Sequence, residues 1–127
     1  MSELNEAVRR CVLDVRTNAD GDITARCVFP PDFLGFKGHF RDRPVLPGVC
    51  LVQAVLAMLD ATKPAPAHLK VIEVAKFFAP VLPGVEVQCV VTERTAEGGP
   101  EVHAQLGNPD GKVAELTLKV AYDSPVK

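Results

Sequence analysis

The chain has little that pairs for metal or disulfide chemistry. Its cysteines, Cys11, Cys27, Cys50 and Cys89, form no Cys-x-x-Cys unit, and no histidines or cysteines are spaced as zinc ligands. No phosphate loop, dinucleotide glycine motif or serine elbow is present. The longest apolar run, residues 45–59, is broken by Pro47 and Gln53 and falls short of the roughly 20 residues a bilayer requires. Residues 1–10 carry charges where a secretory signal has an apolar core. The expectation is a soluble cytoplasmic protein with no membrane contact. With 14 basic and 16 acidic residues the net charge is −2, and no basic stretch is interleaved with aromatics. Nucleic acid is therefore not an expected partner.

No repeat, low-complexity tract or linker divides residues 1–127, which read as one domain. The chain is 47% apolar and 24% charged, a globular balance. At this length roughly two-thirds of the unfolded surface is buried on folding. The cysteines sit among apolar neighbours, where a free thiol acts as a small hydrophobe.

Residues 7–17 read as a first strand, with Arg9 an exception on the face of Cys11, Leu13 and Val15. Asp20-Gly21 centres a turn. Ile23, Ala25, Cys27 and Phe29 then alternate with Thr24 and Arg26 as a second strand. Pro30-Pro31 closes the hairpin, and residues 33–46 form a loop rich in glycine and proline. Pro47 suits the first position of a helix. Residues 49–61 are apolar on every side, which places that helix at the domain centre, and Pro64 and Pro66 stop it.

Four strands follow, at residues 69–79, 85–92, 102–106 and 116–122. Pro83-Gly84, Gly98-Gly99 and Asn108-Pro109-Asp110-Gly111 mark the turns between them. The expected architecture is α+β: a curved antiparallel sheet of about six strands wrapped around one apolar helix.

The chemistry-bearing stretch is Gly38-His39-Phe40, followed by Pro44-Val45-Leu46-Pro47-Gly48-Val49. Histidine moves protons near neutral pH, and a helix start favours developing negative charge. Gln53 is the one polar side chain inside the helix before its last turn. Lys37, Arg41 and Arg43 cluster around His39, either as a solvated loop or as a contact for phosphate or acidic protein. Cys50 falls in the first helical turn, where a thiol can ionise more readily, but without a base nearby in sequence it reads as a packing residue. His68 and His103 receive no role.

The order hairpin, loop, helix, four-stranded meander resembles the hot-dog fold. The two motifs above resemble the signature of the 3-hydroxyacyl-[acyl-carrier-protein] dehydratases. Residues 75–84, Ala-Lys-Phe-Phe-Ala-Pro-Val-Leu-Pro-Gly, resemble the strand and turn that follow the family's helix. The resemblance spans roughly residues 8–122. It implies His39 as the base that takes the proton beside the thioester carbonyl, and the Gly48 N–H as donor to the thioester oxygen. It implies that the Val45 carbonyl orients the histidine. It further implies that Val45, Phe40, Pro47 and Val49 meet the substrate, and that Lys37, Arg41 and Arg43 meet the carrier protein or phosphopantetheine.

The family carries a carboxylate fourteen residues after the histidine, and that position is Gln53 here. Arg41 stands where the family commonly has proline. An amide can hold a hydroxyl by hydrogen bonds but cannot give it a proton at accessible pH.

The implied activity is removal of water from a 3-hydroxyacyl thioester of acyl carrier protein or coenzyme A, with no metal or other cofactor. A homodimer or higher even oligomer is implied, with His39 of one subunit facing Gln53 of the next. Two alternatives are a hot-dog acyl thioesterase and a non-catalytic acyl-thioester-binding subunit whose partner supplies the acid.

Overall fold

A computed structural model describes residues 3–36 and 45–123. In chain order the elements are helix α1 (Glu3–Cys11), strands β1 (Val12–Thr17) and β2 (Ile23–Val28), and a 3-10 turn (Leu34–Phe36). Helix α2 (Gly48–Thr62) and strands β3 (Ala67–Phe77), β4 (Glu86–Ala96), β5 (Gly99–Asn108) and β6 (Gly111–Tyr122) follow. All strand pairs are antiparallel, in the order β1-β2-β4-β5-β6-β3.

One face of the sheet is apolar by alternation. Ile23, Ala25 and Cys27, then Val87, Cys89 and Val91, then Val102, Ala104 and Leu106, then Leu116, Leu118 and Val120 are buried. The sheet packs this face on α2, whose Cys50, Leu51, Val52, Ala54, Val55, Met58 and Leu59 are buried in the same core. A helix apolar all round needs cover all round. Here α1, β1, β2 and β3 all pack against it. This is the hot-dog arrangement of the α+β class. Among the described residues no helix is long and apolar enough to cross a membrane.

Three expectations need correction. Residues 3–11 form a helix, where alternation predicts a strand from residue 7. Leu4, Ala7, Val8 and Cys11 recur at helical spacing and all pack on the core. Glu3 and Glu6 lie in the first turn and Arg9 and Arg10 in the last, which suits the helix dipole. Arg9, an exception in a strand, is regular in this helix.

The face Cys11, Leu13 and Val15 does not exist either. Val12 and Val15 pack inward while Leu13 is exposed. A bulge between Leu13 and Arg16 causes the change, with Asp14 at φ 54°. Aspartate tolerates that left-handed backbone better than most residues.

The meander has three strands rather than four. β3 pairs with β6, at the far edge from β1. Residues 78–85 are too long for a hairpin turn, and they are tied down elsewhere: the Phe78 N–H donates to Val113 O at 2.8 Å, and Val81 O accepts the Leu46 N–H at 3.1 Å. At the helix start, Pro47 occupies the N-cap (φ −62°, ψ 140°), and Gly48 is the first helical residue.

Candidate functional site

The start of α2 is shaped by close approach. Phe77, the last residue of β3, lies against Gly48: a Cβ at position 48 would be 2.6 Å from its ring. Only glycine leaves the ring in place. The first backbone N–H groups of a helix have no acceptor within it, so this end presents donors. Gly48 lines a cleft of about 340 Å³ whose walls also include Val45, Leu46, Leu51, Phe77 and Val81. Exposed Phe78 also lines it. A positive helix end in an apolar cleft suits charge developing on a carbonyl oxygen.

Gln53 lies elsewhere. Five residues turn the helix by about 140°, so its amide leaves α2 on another side from Gly48. It lines a groove of about 460 Å³ together with Asn5 and Arg9 of α1, Leu56 and Asp60 of α2, and His68 of β3. Asp60 ties three elements together: it pairs with Arg9, and its Oδ1 accepts the Ala67 N–H at 2.8 Å. His68 Nε2 lies 2.6 Å from Asp123 Oδ1. Within one protomer, then, Gly48 and Gln53 line different cavities. Sequence reasoning misses the polar wall around Gln53. Its one signal is the i, i+3, i+7 stripe Gln53, Leu56 and Asp60 along one helix face.

Burial of the thiols fits the packing role. It pushes both Cys11 and Cys50 up to about 11, which leaves Cys50 a thiol at neutral pH. Cys27 and Cys89 meet in the core with Sγ atoms 3.5 Å apart. Among the described residues no group of His, Cys, Asp and Glu could hold a metal ion. His39, Phe40, Lys37, Arg41 and Arg43 lie outside the described residues, whereas Val45, Pro47, Gly48, Val49 and Gln53 lie within them.

The β3 edge of the sheet exposes apolar side chains beside the charged Lys70, Glu73 and Lys76. Of β3 and the residue after it, Val71 is 50% exposed, Ile72 46%, and Phe77 and Phe78 52% each. An edge strand with unpaired backbone groups and such side chains is a template for another chain.

Residues 15–115 match the ApeI-like family, described as ApeI dehydratase. A 3-hydroxyacyl-[acyl-carrier-protein] dehydratase FabZ from Geotalea uraniireducens is 36% identical over 102 residues, covering 72% of this chain and 70% of its own. A FabZ from Brucella melitensis is 28% identical over 118 residues, 84% of this chain and 75% of its own. In three dimensions the chain is similar to a protein of the dehydratase heterocomplex ApeI:P from Xenorhabdus doucetiae. The TM-score is 0.72 at 20% identity, covering 87% of this chain and 96% of that one, a likeness of fold. The chain belongs to the ApeI-like dehydratase family, with the hot-dog fold.

Proposed function

We propose that this protein removes water from a 3-hydroxyacyl thioester to give the trans-2-enoyl thioester, in a site assembled from two copies. The observation that carries the reading is Gly48 at the bare start of α2, opening on an apolar cleft in a chain of this family. His39 takes the proton from the carbon beside the carbonyl. Charge moves to the thioester oxygen, and the Gly48 N–H donates to it with no reorganisation. The Val45 carbonyl orients the imidazole, and Phe40, Pro47 and Val49 line the acyl path. Lys37, Arg41 and Arg43 receive the phosphate of a pantetheine arm or an acidic carrier protein.

Strand geometry supports the two-copy site. β3 runs Ala67–Phe77 at the sheet edge, so Ile72 is its midpoint. A second copy laid antiparallel on that edge and centred there sets each Phe77 end against the other's Ala67 end. The Gly48 cleft of one protomer then meets the Gln53 groove of the next. Gln53 holds the departing hydroxyl by hydrogen bonds.

A second reading has two observations behind it. Gln53 replaces a carboxylate, and the Xenorhabdus doucetiae relative in fold is a heterocomplex. On that reading this chain binds the thioester and a different partner subunit supplies the acid.

Mixing purified protein with 3-hydroxyacyl and enoyl thioesters separates the possibilities. A change in enoyl absorbance marks a dehydratase, free thiol marks a thioesterase, and binding without turnover marks the partner-dependent subunit.

A further inference from the structure

The Gln53 groove holds a histidine, the side-chain type best suited to moving protons, and it lies outside the recognised motif. His68 lines the groove as the second residue of β3, with Nε2 2.6 Å from Asp123 Oδ1 at the end of β6. The other polar groups there are poorly suited to protonating a hydroxyl. Gln53 and Asn5 are amides and Arg9 is an arginine, side-chain types that do not serve as acids. Both oxygens of Asp60 are committed, Oδ1 to the Ala67 N–H and Oδ2 to Arg9. His68 and Asp123 are 60% and 55% exposed, so the ring can reload from water.

We infer that His68, held by Asp123, donates the proton to the hydroxyl leaving the substrate's third carbon, the task a carboxylic acid performs elsewhere in the family. This rests on the dehydration proposed above. The step balances without redox change. His39 takes the proton from carbon 2, and the C–H electron pair becomes the carbon 2–carbon 3 double bond. The carbon 3–oxygen bond breaks and its pair leaves with the hydroxyl. The His68 imidazolium protonates that hydroxyl to water while Gln53 holds it. His39 ends charged and His68 neutral, and exchange with solvent restores both. Among the described residues, Asp123 just after β6 pairs with His68, and the charged Asp60 of α2 and Arg9 of α1 line the same groove.

The test uses the full chain and four forms: wild type, His68→Gln, Gln53→Glu and the double variant. Expected is a fall of about 10²-fold in kcat for His68→Gln, with KM near the wild-type value and the circular dichroism spectrum unchanged. Gln53→Glu restores an acid, so the double variant should turn over at close to the rate of Gln53→Glu alone. Wild-type turnover in His68→Gln overturns the inference. So does a double variant as slow as His68→Gln, since an acid at 53 then fails to replace the imidazole. A wild-type chain that interconverts neither thioester overturns the dehydration reading itself, and this inference with it.

Discussion

Gly48 and Phe77 occupy one another's space: the ring at the end of β3 fills the volume a Cβ on the first residue of α2 would need, at 2.6 Å. The helix start is thereby held against the sheet edge, where Gly48 lines the cleft. Gly48→Ala pushes the ring, which is 52% exposed and able to swing, into the cleft. Stability should therefore change by less than about 1 kcal/mol, since alanine also favours the helix. Turnover should fall at least tenfold, and Gly48→Ala combined with Phe77→Ala should recover part of it. Thermal melts and enoyl absorbance check both halves; a large stability loss with proportionate inactivation would assign Gly48 to packing alone.

Asp60 joins α1, α2 and β3. Asp60→Ala leaves the half-buried Ala67 N–H without its acceptor and Arg9 without its partner. Urea unfolding should show a loss of about 1–2 kcal/mol, most of it from the amide, because the Arg9 side chain is partly in water. Asp60→Asn keeps an oxygen for Ala67 and should lose less. Equal losses for the two variants would instead place the weight on the ion pair.

The cysteines should be inert in the native state. A thiol reagent at pH 8 should label none of the four, and all four after unfolding. Burial raises Cys11 and Cys50 to about 11 from an ordinary 9.0, so above pH 9 the unfolded chain releases protons that the native chain retains. Stability from these two groups is complete below pH 9 and declines as pH rises from there through 11. Melting temperature followed over that range checks the sign. Rapid labelling of Cys50 in the folded protein would reveal a thiolate at the helix start.

Ile72 lies at the midpoint of the exposed edge. Ile72→Glu should give a monomer by sedimentation, with a near-native far-ultraviolet spectrum and little turnover. An active monomer would confine the site to one chain.

β2, β4, β5 and β6 are legible because each alternates against one face and is bounded by turn residues, as at Asp20-Gly21 and Pro83-Gly84. There the local pattern and the tertiary burial agree. At residues 7–15 they compete: Cys11, Leu13 and Val15 alternate as a strand would, while Leu4, Ala7, Val8 and Cys11 repeat as a helix. Packing on α2 decides for the helix, and the Asp14 bulge has no sequence signal. The place of β3 beside β6 is a long-range choice that no turn encodes. The start of α2 can be read because proline and glycine are local punctuation. The wall of Asn5, Arg9 and His68 cannot, because it forms only when α1 and β3 meet at α2.

A mixture of two variants tests the two-copy site most directly. His39→Ala and Gln53→Leu are each prepared alone, then unfolded together and refolded, and enoyl formation is followed. If His39 of one protomer works with Gln53 of the next, each mixed dimer carries one intact site. The mixture should then regain about a quarter of wild-type turnover, well above either variant by itself. A mixture no faster than the average of the two separate variants would show that each protomer works alone and would contradict a site shared between copies.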